Sequence, residues 1–342
     1  MRLLRFLLFP IGCVFFLISK TRNYLYDSGI WKSFEIPIKS ICVGNLSLGG
    51  TGKSPLVAYL IENLKDENQI QILSRGYGRK TQGFLEVELS SQSSQVGDEP
   101  LMYKKRFGDE IHVSVCESRK EGIETILKKR NPNLLILDDA FQHRKVKAGF
   151  SIVVSDYSKL FYKDFIFPIG NLRESKTGLK RSDLVLISKC PENLNESQKR
   201  EVLKNINCDT ENVFFSSIKY SELKSFSQTK TAEIKNVLLV TGIANPTPLK
   251  TYLEANYRVE LMQFKDHHQF SLADIEKIHK KFDIFADDKK AIVTSEKDYM
   301  RLVAPEFSVF ISEKPWLYQA ISIQVDRENE FLNKIKKYVR TI

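Results

Sequence analysis

Ile36-Pro37-Ile38-Lys39-Ser40-Ile41-Cys42-Val43, the loop Gly44 to Gly50, and then Thr51-Gly52-Lys53-Ser54-Pro55 form the stretch on which the reading of this chain turns. The first segment is rich in β-branched residues and reads as a strand. After the loop, Leu56, Val57, Leu60, Ile61 and Leu64 recur at helical spacing. Strand, small-residue loop and helix in that order build a P-loop: backbone N–H groups wrap phosphate oxygens, a Lys reaches the outer phosphates, and a hydroxyl serves Mg²⁺. Gly49, Gly50, Thr51 and Gly52 supply the loop, Lys53 the ammonium and Ser54 the hydroxyl. Pro55 falls in the first helical turn, where its missing N–H costs nothing. The usual spacing would place a glycine at Ser47, and here Gly49 and Gly50 are displaced inward.

Working outward, Leu134 to Leu137 is a short apolar run that ends in Asp138-Asp139. It reads as a buried parallel strand that delivers carboxylates to its carboxyl end. One carboxylate suits Mg²⁺, directly or through water, and the other suits a substrate or the P-loop; a pair of acids capping a turn is the plainer reading. Further apolar runs at Ile70 to Leu73, Ile111 to Val115, Ser151 to Val154 and Leu184 to Ile187 alternate with helical or loop stretches, as in one α/β sheet. A second α/β unit is expected from Val237 to Thr241, Ala291 to Thr294 and Ile321 to Val325, with an amphipathic helix from Ser271 through Phe282.

The expected organisation is therefore an N-terminal apolar helix region over 1–30, a P-loop domain over 31–217, a hinge over 218–232 and a smaller α/β domain over 233–342, with a cleft between the two domains. Lys and Arg outnumber Asp and Glu by 52 to 42, a net charge of +10 that favours anionic partners. The five cysteines are scattered, without a Cys-x-x-Cys pair, which fits a reducing compartment.

Phe6 to Ser19 is apolar but for its last residue and is flanked by Arg2, Arg5, Lys20 and Arg22. As a helix it extends about 21 Å, short of the roughly 30 Å hydrocarbon core, so a span is not expected. Lys20-Thr21-Arg22 stands where a signal peptide needs small residues. A helix lying in an anionic membrane surface and a buried soluble helix both remain open, the flanking charges favouring the first.

Four more segments narrow the class: Ser74-Arg75-Gly76-Tyr77-Gly78, Gly97-Asp98-Glu99-Pro100, Asp138-Asp139-Ala140-Phe141-Gln142-His143 and Phe167-Pro168-Ile169-Gly170-Asn171-Leu172-Arg173-Glu174. With the P-loop stretch, and in order through Thr294-Ser295-Glu296-Lys297-Asp298, they resemble the tetraacyldisaccharide 4'-kinases. That family shares the replaced first P-loop glycine, whereas Ala140-Phe141 stands where its members commonly have Gly-Leu. The resemblance implies an enzyme that moves the γ-phosphate of ATP, with Mg²⁺, to the 4'-hydroxyl of a lipid A disaccharide 1-phosphate, forming lipid IVA. It further implies residence at the cytoplasmic face of the inner membrane, peripheral or monotopic.

By the same resemblance Asp98 is the base that receives the hydroxyl proton, Lys53 acts on the phosphates, and His267, in Asp266-His267-His268, pairs with the base across the domains. Ser54, Glu99, Asp138 and Asp139 fall to the metal, and Tyr77, Arg119, His143, Asn171 and Arg173 to the sugar or its 1-phosphate. Arg75 and Lys297 receive no role. Local chemistry alone also allows Asp98 to cap a helix and His267 to be a solvated histidine ahead of a cap at Ser271.

A P-loop GTPase would need Asn-Lys-x-Asp after a late strand, but Ser188-Lys189-Cys190-Pro191 lacks the specificity Asp. A non-catalytic, nucleotide-gated membrane adaptor would keep the P-loop and dispense with Asp98. No nucleic-acid-binding motif is apparent, so nucleic acid is not an expected partner, and no obligate protein partner is inferred.

Overall fold

The computed structural model describes residues 6–229, 233–285 and 289–341. Twelve strands form one continuous sheet: β1 (Lys39–Gly44), β2 (Ile70–Ser74), β3 (Leu85–Glu86), β4 (Ile111–Val115), β5 (Leu134–Asp138), β6 (Phe150–Asp156), β7 (Leu184–Ser188), β8 (Val213–Ser225), β9 (Asn236–Thr241), β10 (Arg258–Gln263), β11 (Lys290–Ser295) and β12 (Trp316–Val325). Their order is β10-β9-β11-β12-β8-β7-β6-β1-β5-β2-β4-β3. From β8 to β4 all pairings are parallel, as are those from β10 to β12. Two antiparallel joints interrupt this, at β3/β4 and at β8/β12.

Parallel strands need both faces covered, and β2, β5 and β7 are buried at every position. The helices that position the site are α1 (Phe9–Asp27), α2 (Lys53–Leu64), α3 (Asp98–Phe107), α4 (Arg119–Lys129), α5 (Glu196–Asn205), α6 (Thr247–Glu254), α7 (Leu272–Asp283), α8 (Glu296–Leu302) and α9 (Glu328–Arg340). Helix α7 begins where its sequence says, with Ser271 accepting a hydrogen bond from Asp274 N in a capping box.

The two halves are less separate than the sequence suggests. Residues 218–225 of the expected hinge are strand, because β8 continues out of its parallel pairing with β7 into an antiparallel ladder with β12; residues 230–232 of that hinge lie outside the described residues. The C-terminal helix also returns to the first half. Phe331 of α9 is fully buried against Phe214, and Tyr338 stacks on Phe150 and bonds the backbone of Ser40. The expected boundary at 233 thus leaves out α9, whose apolar face completes the core beside β1 and β6.

Helix α1 is longer than the apolar run that announces it, continuing through Lys20-Thr21-Arg22 to Asp27. Its small residues Gly12 and Ser19 face the body, while Phe9, Ile11, Val14, Leu17 and Ile18 face outward. Among the described residues no helix is long and apolar enough to cross a membrane.

Candidate active site

The carboxyl ends of β1 and β5 lie side by side, and the loop after β1 runs into α2. Asn45 ties both ends of that loop together, its Nδ2 donating to Ser47 O at 2.6 Å and to Thr51 Oγ1 at 3.0 Å. Gly52 precedes the helix with φ of 91°, a left-handed conformation glycine adopts freely, and a Cβ there would come within 3.1 Å of Ser188. Ser188 Oγ donates to Thr51 O at 2.5 Å, and Lys189 Nζ donates both to Gly50 O and, at 2.8 Å, to Asp156 Oδ2. The end of β7 therefore braces the loop from the side.

Lys53 and Ser54 open α2 and are both buried. Lys53 Nζ lies 3.5 Å from Asp139 Oδ1, which also accepts from Arg173 NH1 at 2.9 Å. Asp138 points inward and is 1% exposed. Burial, with the charges of Glu99 and Asp139 adding, pushes its carboxyl up to about 7. Tyr103 OH donates to Asp138 Oδ2 at 3.3 Å, but Oδ1 is buried without a hydrogen-bond partner.

Helix α3 brings the other acids. Gly97 is its N-cap, with φ of 92°, and the Asp98 side chain does not cap the helix it begins. Asp98 is instead turned to the C-terminal half, where its Oδ2 lies 3.1 Å from Arg301 Nε and 3.4 Å from His267 Nδ1. The hydrogen bond with Asp98 raises the His267 pKa above its ordinary value despite partial burial. Glu99 Oε1 accepts from Ser54 Oγ and from Lys297 Nζ. Burial favours the neutral acid, yet the Lys297 and Lys53 charges and those two bonds hold Glu99 well below the usual carboxylate range.

Ser54, Glu99 and the orphaned Oδ1 of Asp138 make a hard-oxygen donor set that fits Mg²⁺. Among the described residues no three His, Cys, Asp or Glu side chains are grouped to hold a metal by themselves.

The profile of the tetraacyldisaccharide-1-P 4'-kinase family (LpxK) matches residues 4–340. The chain belongs to that family. A tetraacyldisaccharide 4'-kinase of Flavobacterium psychrophilum is 41% identical, covering 100% of this chain and 98% of the relative. That of Flavobacterium johnsoniae is 43% identical over 88% of each. Among solved structures, LpxK from Aquifex aeolicus, crystallised in complex with ATP, superposes with a TM-score of 0.76 at 27% identity, covering 98% of this chain and 99% of that one.

Within this member of the tetraacyldisaccharide-1-P 4'-kinase family, five residues are expected to meet the sugar or its phosphate: Tyr77, Arg119, His143, Asn171 and Arg173. Tyr77 is exposed, with its ring 5.3 Å from that of His267. His143 is half-buried, and burial together with Arg119, Arg75 and two further cations lowers its pKa to about 4. Asn171 donates to Asp164 Oδ2 at 3.1 Å and its carbonyl accepts from Leu48 N at 2.7 Å, pinning its loop to the P-loop. Arg173 reaches Asp139, as above. Arg119 is 1% exposed, and its terminal nitrogens donate to Cys116 O at 2.6 Å and Asp138 O at 3.1 Å. It is a strut beneath the acidic pair.

Arg301 falls outside every motif of the resemblance, and Lys297 carries no role in it. The available signal was their spacing, since cations four apart on a helix share a face. Asp298 between them is fully buried, accepting from Thr241 Oγ1 at 2.8 Å, Gly242 N at 3.0 Å and Ser295 Oγ at 2.5 Å, and lying 3.2 Å from Arg301 NH1.

Proposed function

We propose that this chain transfers the γ-phosphate of ATP to the 4'-hydroxyl of a tetraacyldisaccharide 1-phosphate, giving lipid IVA. The observation that carries the reading is one short helix start: Glu99 bonds the P-loop hydroxyl while the adjacent Asp98 is turned to His267 and Arg301. A carboxylate next to the P-loop hydroxyl supports this reading, because an attacking hydroxyl needs a base beside the transferred phosphoryl group.

In this reading Gly49, Gly50, Thr51, Gly52, Lys53 and Ser54 hold the phosphates, and Asp139 with Arg173 keeps Lys53 aimed. Ser54, Glu99 and Asp138 hold Mg²⁺, which neutralises phosphate charge when bound. Asp98 accepts the 4'-hydroxyl proton as the oxygen attacks phosphorus and ADP leaves; His267 orients and balances the carboxylate. Tyr77, His143, Asn171 and Arg173 line the approach of the sugar and its 1-phosphate. The outward apolar residues of α1, flanked by Lys20 and Arg22, seat the enzyme on the anionic cytoplasmic face of the inner membrane. The first half acts as a P-loop domain, and the segment after β8 carries His267 to it.

The test is conversion of a lipid A precursor disaccharide with ATP and Mg²⁺ in detergent, read by mass spectrometry of the product. Lys53→Ala and Asp98→Ala are each expected to lower turnover by about 10²- to 10⁴-fold. Full turnover in both variants would refute the mechanism.

A further inference from the structure

Two cations on one face of α8 meet two consecutive acids at the start of α3: Arg301 pairs with Asp98 and Lys297 bonds Glu99. The pairs are not equivalent. Arg301 is 3% exposed and is also held by Asp298 and by His268 O at 2.8 Å, so it is fixed. The Lys297 side chain is 32% exposed and reaches Glu99 on a flexible stem.

Glu99 Oε1 is shared by Ser54 Oγ and Lys297 Nζ. A P-loop hydroxyl and an acid meeting at one point mark where a divalent cation binds, and in the structure an ammonium shares that carboxylate oxygen. An ammonium and a divalent cation compete for one carboxylate, and the higher charge wins at equal distance. Once Glu99 is taken, Lys297 keeps its own charge, beside the Ser54–Glu99 pair and one turn of α8 from the Arg301 that meets Asp98. A phosphoryl group passing from a nucleotide on the P-loop to a hydroxyl at Asp98 has to cross that same space. Charge spreads over its equatorial oxygens as it moves, and a cation approaching from outside the P-loop stabilises it there.

We propose that Lys297 is a phosphoryl ligand supplied by the C-terminal half of the chain, parked on Glu99 until a divalent cation displaces it. The proposal rests on the kinase reading above. It separates Lys297 from a mere tie between α8 and α3, which would affect folding and substrate affinity but not the chemical step.

The experiment compares the full-length wild type with Lys297→Met and Lys297→Arg. Mn²⁺ alone, without nucleotide, is titrated and followed by electron paramagnetic resonance, and kcat and KM for ATP are measured with the disaccharide acceptor. The expected result is that Lys297→Met binds Mn²⁺ severalfold more tightly and loses about 10²- to 10³-fold in kcat, with KM for ATP within about threefold. Lys297→Arg recovers part of the kcat. Unchanged kcat or unchanged Mn²⁺ affinity in Lys297→Met overturns the proposal, and a fall in melting temperature with kcat intact identifies the tie instead. Wild type that binds Mn²⁺ but does not phosphorylate the disaccharide defeats the kinase reading and the inference with it, an outcome visible without any variant.

Discussion

Arg301 Nε stands 3.1 Å from Asp98 Oδ2, nearer than His267 Nδ1 at 3.4 Å on the same oxygen. The proposed base thus has two neighbours on one oxygen, Arg301 buried and fixed, His267 41% exposed. The buried partner sets where the carboxylate points.

Replacing Arg301 separates these roles. Arg301→Ala leaves Asp98 and Asp298 without their shared cation and is expected to cost about 3 kcal/mol of stability. Arg301→Lys keeps the charge but loses the planar fork, so melting should fall by a few degrees while kcat drops at least about tenfold with KM for ATP unchanged. Thermal denaturation and steady-state kinetics on the same preparations check both. A lysine variant with wild-type kcat would mean that Asp98 needs only a nearby charge.

The His267 contact has a defined pH sign. Its pKa is raised in the folded chain by the hydrogen bond with Asp98, so its contribution to stability is fully present below its ordinary value and is lost as pH rises through the raised one. The melting-temperature difference between wild type and His267→Gln is therefore expected to be larger at about pH 6 than at about pH 9. A difference that is flat across that range would show that the pair carries no charge linkage.

Asp138 behaves in the opposite sense. Its carboxyl is raised from 3.8 to about 7, so the folded state holds a proton that the unfolded chain releases, and stability falls as pH climbs through that interval. Asp138→Asn should therefore be more stable than wild type near pH 8, with the gain vanishing below about pH 4. The same substitution removes a proposed metal oxygen and should abolish turnover. Denaturant titrations at several pH values, with the kinase assay alongside, test the pair of expectations. A destabilised Asp138→Asn at pH 8 would show that the carboxylate is compensated by neighbours.

What the sequence made legible follows from burial. Strands β2, β5 and β7 are covered on both faces and appear as unbroken apolar runs, so their bounds were readable to within a residue. Edge strand β10, whose burial alternates between exposed and intermediate positions up to Met262, carries no such run and was missed. Strand β8 was misread as pieces around a hinge because its second half, from Ser217 on, is nowhere fully buried. The P-loop and both acidic pairs were legible because their chemistry depends on local order. Arg301 was not, because its role arises from α8 packing on α3, a contact between positions about two hundred residues apart that no local pattern encodes. The inward turn of Arg119 to main-chain carbonyls was not legible for the same reason.

Helix α1 offers the last prediction, because its orientation reverses that of a soluble surface helix. Its narrow inner face carries Gly12, which sits against Ile169, and Asn23, whose Nδ2 donates to Glu174 Oε2 at 2.7 Å. The bulky residues Leu17 and Ile18 are 59% and 63% exposed, and Phe15 packs edge-on against Phe167, which is itself 44% exposed. A soluble helix would bury those side chains; here they form an outward apolar face that suits a lipid surface. Each such side chain contributes about 1.5–3 kcal/mol when moved from water into an apolar phase. Leu17→Glu with Ile18→Glu should therefore weaken sedimentation with anionic vesicles by at least about a hundredfold, while ATP binding and the melting temperature stay near wild type. Lys20→Gln with Arg22→Gln should weaken it less, and mainly at low salt, since charge attraction is screened within about 10 Å at 0.1 M. If the double glutamate variant co-sediments like wild type, α1 does not seat the enzyme on lipid, and its outward residues must be covered by something else.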